Sequence, residues 1–76
     1  MILLYVENGK VMNGIQCYEV EGAVFREREG EAQEIYFGAG KWRRYQGDPS
    51  RVRRMSRPMS LDEVRPYMDG CEKVAE

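Results

Sequence analysis

The fold is decided by the stretch from residue 15 to residue 37, which reads IQCYEVEGAVFREREGEAQEIYF. Apolar and polar side chains alternate along this stretch, and turn signals that contain glycine divide it into short runs. This pattern is typical of an antiparallel β-meander. A tight turn at Glu21-Gly22 sets Tyr18 opposite Phe25, which places both rings on one face of the predicted sheet.

Two further turns, at residues 29–31 and 39–40, extend this face along the chain. The first of them also sets Arg26 opposite Glu34 on the other face. These registers place Phe37 between Ala23 and Trp42, and they collect one apolar face made of Tyr18, Val20, Ala23, Phe25, Ile35, Phe37 and Trp42. A slip of one residue would turn this set to solvent, so the register is well specified.

Two Asn-Gly signals precede the central stretch. Asn8-Gly9 suits a two-residue type I′ turn, since both residues tolerate a positive φ, and it would pair Glu7 with Lys10. Asn13-Gly14 follows five residues later, so two complete hairpins would leave a strand of about three residues between them. One of the two signals is therefore a bulge or an open loop, and the sequence leaves open which one.

Beyond the central stretch, the pattern predicts two more strands. Residues 47–50 read Gly-Asp-Pro-Ser, a composition typical of a turn because aspartate accepts backbone hydrogen bonds and proline restricts φ. This turn would join a strand over residues 41–46 to a possible further strand over residues 51–56.

The C-terminal part predicts a short helical segment. Residues 60–63 match a capping box, and the segment Leu61–Met68 has apolar residues three and four positions apart. Pro66 limits the first helix to one or two turns, and a second short turn should end at Gly70. The tail after residue 71 is expected to fray.

Together these patterns predict a β-rich α+β fold in a single small domain that spans residues 1–76. Its architecture is a small antiparallel β-meander or a partly open barrel, with a short C-terminal helical segment. A chain of this length buries only about 60% of its unfolded surface, which leaves little room for a deep catalytic cavity.

The cysteines and the apolar start of the chain bear on location. The apolar run ends at Glu7, which makes it too short for a signal peptide or a membrane span. Cys17 and Cys71 are the only cysteines, and without a secretion signal two reduced thiols are the expected state, ahead of one disulfide. The sequence predicts a cytoplasmic protein without a membrane partner.

The chain lacks histidine and the sequence motifs that mark common classes of enzymes and metal sites. It has no histidine, the commonest general base and metal ligand, and two isolated cysteines do not make a typical zinc site. No phosphate-binding glycine loop or nucleophile elbow is present, and the glutamates of residues 27–34 are best explained as a solvated charged turn. We therefore expect a protein that is not an enzyme, with no catalytic, cofactor-binding or metal-binding residues.

The net charge of −1 hides a strong segregation of charge along the chain. Residues 1–40 carry three basic and seven acidic side chains, for a sum of −4, and residues 58–76 carry two and five, for −3. Residues 41–57 carry seven basic side chains and one acidic side chain, for +6. This stretch, called the basic block below, is the most unusual feature of the sequence. Like charges opposed across a strand ladder destabilise it, so a negative group should relieve them.

The basic block supplies the predicted contact residues, which are Lys41, Arg43, Arg44, Tyr45, Arg51, Arg53, Arg54 and Arg57. Our first hypothesis is a non-catalytic small binding module for protein–protein interaction, with a regulatory or inhibitory role. Segregated charge supports it, because complementary surfaces then associate fast and in one orientation.

Three alternatives stay open. The basic block would bind nucleic acid if its arginines met phosphates and Trp42 and Tyr45 stacked on bases, although a pI near 5.5 argues against this. Carboxylates elsewhere in the chain would instead neutralise the block internally. An unpaired edge strand would also permit self-association into a homo-oligomer.

Overall fold

The computed structural model describes residues 2–73, which form an open antiparallel sheet with two short helices. The strands are β1 (Leu3–Glu7), β2 (Lys10–Val20), β3 (Ala23–Glu27), β4 (Glu34–Tyr36), β5 (Trp42–Arg44), β6 (Arg57–Pro58) and β7 (Glu72–Lys73). The helices are α1 (Pro49–Met55) and α2 (Leu61–Val64). The strand order is β5-β4-β3-β2-β1-β7, and β6 pairs with β2. The predicted β-rich α+β meander is confirmed, and the sheet of the described residues is not closed.

β2 is the long central strand, and it changes partners along its length. Its first half pairs with β1, starting with Lys10 opposite Glu7, and its second half pairs with β3. Asn8-Gly9 forms the hairpin turn, with φ of 52° and 77°. Gly14 has φ of 86° and lies where the β1–β2 register shifts, so the second Asn-Gly signal is a bulge.

The predicted pairs of β2 with β3 and of β3 with β4 are confirmed except for Ala23 with Phe37, and the register at β5 is wrong by one residue. Tyr36, and not Phe37, lies opposite Trp42. The connecting turn is one residue longer than predicted, since the Phe37 N–H donates to the carbonyl oxygen of Lys41. Trp42 therefore lies on the opposite face from the predicted one. The β3–β4 pairing also ends before it would set Phe37 opposite Ala23, and Phe37 is 62% exposed.

The two faces of the sheet carry two apolar clusters. The larger core consists of Leu3, Ile15, Cys17, Val24, Met59, Val64, Met68 and Cys71, with Tyr36 and Trp42 among the residues packed against it. The smaller core consists of Tyr18, Phe25 and Val52, with Ile35 and Tyr45 among the residues packed against it. Directly paired residues point to the same face, so Arg43 shares the face of the smaller core with Ile35. Arg44 lies on the other face, with Glu34.

Residues 49–55 form helix α1, so the predicted further strand over residues 51–56 is wrong. Asp48 caps the helix by accepting a hydrogen bond of 3.0 Å from the Ser50 N–H. Proline at the first helical position loses nothing, because its missing N–H would have no partner there. Val52 is the buried residue of α1, and it packs into the smaller core. Burial of this one side chain decides which way the helix faces.

The C-terminal segment follows the predicted pattern. Ser60 and Glu63 form the capping box, with backbone-to-side-chain bonds of 3.1 and 3.3 Å. The turns after α2 end at Gly70, whose φ of 83° suits glycine. Residues 72 and 73 pair with β1 and are not frayed, while residues 74–76 of the predicted frayed tail lie outside the described residues.

Candidate binding surface

The structure separates the eight predicted contact residues into two groups. Arg53 and Arg57 pair with carboxylates, and Tyr45 is half-buried against the smaller core. The others are exposed and have no carboxylate partner within residues 2–73; we call them the unpaired cations, and they are Lys41, Arg43, Arg44, Arg51 and Arg54. The predicted site is therefore not one uninterrupted basic surface, because part of it is neutralised internally.

Arg53 is held against the sheet by Glu27. The guanidinium donates two hydrogen bonds to the carboxylate, at 2.8 and 2.7 Å, in a bidentate arrangement. Glu27 also accepts a bond of 2.5 Å from the Tyr18 hydroxyl, which in turn accepts one of 2.6 Å from the Gln33 amide. The bonds from Arg53 and Tyr18 lower the pKa of the Glu27 carboxyl. Arg53 thus connects α1 to β3, and its charge is largely neutralised by Glu27.

Arg57 lies between two carboxylates from distant parts of the chain. Its Nη2 is 3.1 Å from Oε1 of Glu19 and 2.7 Å from Oε2 of Glu63. These contacts join the start of β6 to β2 and to α2. Hydrogen bonds from Arg57, together with those from Ser60, lower the pKa of the Glu63 carboxyl to about 2.

We expect Glu63 to titrate near pH 2, well below its ordinary value of 4.5. Since the pKa in the folded protein is below that in the unfolded chain, the stabilisation by this carboxylate is present above the unfolded value. It is lost as the pH falls through the folded value. Carbon chemical shifts of the Glu63 carboxyl against pH measure the midpoint. In Arg57→Gln the midpoint should move up towards 4.5, and an unmoved midpoint would contradict the ion pair.

β5 is an edge strand, and its successive residues direct their backbone N–H and C=O groups alternately towards β4 and away from it. Hydrogen bonds of 2.8 Å on the β4 side involve Lys41 and Tyr45, the residues that flank the strand. Residues of an antiparallel ladder alternate between bonded and non-bonded pairs, so Arg43 is also bonded to β4. By the same alternation, Trp42 and Arg44 turn their N–H and C=O groups away from β4. The open edge of the sheet therefore presents four backbone polar groups.

The side chains of β5 differ between the two faces. The Arg43 guanidinium lies over the exposed Phe37 ring, 5.0 Å from its centroid. On the other face, Trp42 packs edge-on against Tyr36 with ring centroids 5.1 Å apart. Trp42 and Tyr45, which the nucleic-acid hypothesis uses as stacking residues, are thus both engaged in the packing of the protein itself.

The most deeply buried charge of the described chain lies outside the basic block. Arg26 is 3% exposed, and its Nε donates to Glu34 at 2.8 Å while its Nη1 donates to Glu7 at 3.1 Å. Burial disfavours the charged form, but the two carboxylates outweigh it and raise the pKa of Arg26. The guanidinium also lies 4.4 Å from the centroid of the Trp42 ring. The pattern of alternation predicts the pairing with Glu34, whereas the contact with Glu7 depends on how the β1–β2 hairpin folds over the sheet.

A cleft of about 670 Å³ opens over this buried arginine. Its charged lining residues are Glu7, Lys10, Arg26, Glu31, Glu34 and Arg44. Three of these are cations and three are carboxylates, so the cleft has no net preference for a charged ligand. Arg44 lies at this cleft and at the open edge of β5 at once.

Other reactive groups are either buried or too few to form a site. Cys17 and Cys71 are free, buried thiols, and burial raises the pKa of Cys17 to about 12, so the thiol stays protonated near neutral pH. Within residues 2–73, no group of three candidate ligands is placed to hold a metal ion. In the same part of the chain, no helix has both the length and the apolar character that crossing a membrane requires.

The geometry available for function is thus the set of unpaired cations, divided between the edge strand β5 and the exposed side of α1. When the chain is compared with known proteins, it matches no family model, no curated protein and no solved structure.

Proposed function

We propose that the protein is a non-catalytic binding module that recognises an acidic surface on another protein, in a regulatory or inhibitory role. One observation carries the proposal. Five arginines are ion-paired with glutamate or aspartate, namely Arg26, Arg28, Arg53, Arg57 and Arg65. The four without a carboxylate partner all belong to the basic block, namely Arg43, Arg44, Arg51 and Arg54.

Exposed arginines without carboxylate partners favour association with a negatively charged surface. Val52 directs one side of α1 into the smaller core, and Arg51 and Arg54 stay exposed on the helix. Such charges raise the association rate and select the orientation of a partner, and their effect weakens as salt is added. Two buried free thiols suit the reducing cytoplasm, which is the location that we propose.

A protein partner is favoured over a nucleic acid for two reasons. Glu27, Glu19 and Glu63 pair with arginines of the basic block, so the block does not form the continuous basic groove that follows a nucleic-acid backbone. Trp42 and Tyr45 are also packed against other parts of the protein, which removes the two nearest stacking residues. Nucleic-acid binding is therefore the competing outcome of the experiment below.

The test measures binding of fluorescently labelled acidic peptides, and of single-stranded and duplex oligonucleotides, by anisotropy across a salt series. We expect acidic peptides to bind at low salt. The double variant Arg51→Gln with Arg54→Gln should bind them about tenfold more weakly, because two exposed, unpaired positive charges are lost. The matched control is Lys10→Gln with Arg65→Gln, which removes the same net charge from exposed positions outside the block.

The control pair should change peptide affinity by less than about twofold. Equal losses in the two double variants would mean that only total charge matters, and would contradict the proposed surface. Absence of binding to every acidic peptide at low salt would also overturn it. Tighter binding to oligonucleotides than to peptides, with a binding constant that falls linearly with salt concentration on a log–log plot, would support the nucleic-acid hypothesis instead.

A further inference from the structure

The open edge of β5 has the geometry of a strand-binding site. Trp42 and Arg44 direct their N–H and C=O groups away from β4, and these groups are spaced as in the next rung of an antiparallel ladder. An extended segment placed beside them would gain backbone hydrogen bonds that are independent of its side chains.

The side chains along this edge specify which segment fits. Lys41, Arg43 and Arg44 are exposed and have no carboxylate partner within the described chain. Carboxylates directly across a ladder from such cations stabilise the pairing, whereas like charges destabilise it. Trp42 is half-buried among apolar neighbours, and it would lie opposite an apolar side chain.

The same charges argue against a second copy of this chain at the edge. In an antiparallel arrangement of two β5 strands, every register that bonds the two free edges sets at least one basic side chain of one copy opposite a basic side chain of the other. Cations on an edge strand are a common means of preventing self-pairing. The hypothesis of a homo-oligomer through this edge is therefore disfavoured by electrostatics.

We infer that β5 binds an extended, carboxylate-bearing segment of the partner protein as an added antiparallel strand. The inference rests on the proposed function and names how the partner is recognised. Read from its N-terminus, the segment would lie opposite Arg44, Arg43, Trp42 and Lys41 in turn. Its chemistry is accordingly acidic, acidic, apolar, acidic, and the probe is a peptide with the central sequence Glu-Glu-Val-Glu.

Backbone methylation of this probe separates strand pairing from attraction between charges. The N–H of the valine, opposite Trp42, points towards β5 in the inferred complex, and the N–H of the second glutamate, opposite Arg43, points away. Methylation at either nitrogen leaves the net charge and the side chains of the probe unchanged, and the two methylated peptides have the same composition. We expect N-methylation at the valine to weaken binding to the unmodified protein by about tenfold, since one bond and the close approach of the strands are lost.

The matched control peptide is methylated at the second glutamate, and its affinity should change by less than about twofold. Amide signals of ¹⁵N-labelled protein provide a second readout. The Trp42 and Arg44 N–H signals should shift as for newly formed hydrogen bonds and exchange more slowly with solvent, and that of Arg43, already bonded to β4, should change little.

The outcomes distinguish this inference from the proposed function. If all three peptides bind equally and the Trp42 and Arg44 amides do not respond, attraction between charges holds the peptide, so the strand-addition inference fails and the proposed function stands. If no acidic peptide binds, both fail. If sedimentation shows a dimer in which the Trp42 and Arg44 amides are protected from exchange without the probe, a second copy occupies the edge and the inference is overturned.

Discussion

Replacing Arg26 with methionine is expected to lower the free energy of unfolding by about 3 kcal/mol, because it leaves two half-buried carboxylates without their cation. Glu7 and Glu34 both bond to this guanidinium, and their side chains are 30% and 33% exposed, so they regain only part of their hydration. A single core of this size rarely supplies more than about 3–5 kcal/mol of stability, so the variant should be close to unfolding without denaturant.

Urea unfolding followed by tryptophan fluorescence measures this effect. Trp42 is the only tryptophan and lies 4.4 Å from the Arg26 guanidinium, so its emission reports on this site. The control is Arg65→Met, because the partner of Arg65, Asp62, is 91% exposed and the pair should contribute less than about 0.5 kcal/mol. Adding Glu7→Gln and Glu34→Gln to Arg26→Met should recover part of the loss. Equal effects of Arg26→Met and Arg65→Met would contradict the buried ion pair.

Adding a single methyl group at Gly47 is expected to lower the free energy of unfolding by about 2 kcal/mol, a typical cost of overpacking. A Cβ atom at this position would overlap the hydroxyl end of the Tyr45 ring. The ring cannot easily move, since it packs edge-on against Phe25 with centroids 5.2 Å apart. The backbone of Gly47 is not in the left-handed region, so the cost of Gly47→Ala is steric overlap and not backbone strain.

A double-mutant cycle separates this overlap from other effects of the substitution. In a Tyr45→Leu background the hydroxyl and the far side of the ring are absent, so Gly47→Ala should then cost less than about 0.5 kcal/mol. Chemical denaturation of the four proteins provides the coupling energy. A similar loss in both backgrounds would show that the methyl group disturbs something other than Tyr45.

Sequence reasoning succeeded where neighbouring residues specify the conformation. The β2–β3 hairpin is an example, since Glu21-Gly22 adopts the positive φ values of a tight turn and an alternating pattern on both sides sets the register. The Ser60–Glu63 capping box is another, because both of its hydrogen bonds lie within four residues of chain. Such features need no knowledge of distant parts of the molecule.

Prediction from the sequence was wrong where two local backbone conformations fit the same residues about equally well. The turn between β4 and β5 differs from the predicted one by a single residue, and this difference alone moves Trp42 to the other face. Residues 51–55 have only two apolar side chains, Val52 and Met55, and two positions are too few to define either a helical or a strand period. Asp48 and Pro49 suit a turn and a helix start equally well, and the packing of Val52 on the smaller core decides for the helix.

The sequence by itself determined that the chain is a β-meander, with its charges segregated and its most basic segment at residues 41–57. Only the tertiary structure decided which of those charges have an ion-pair partner and which do not. Arg53 meets Glu27, 26 residues away, and Arg57 meets Glu19, 38 residues away, whereas the arginines of β5 meet no carboxylate within the described residues. The physical reason is that an ion pair depends on distance in space, and distances between remote residues are set by how the sheet and helices pack.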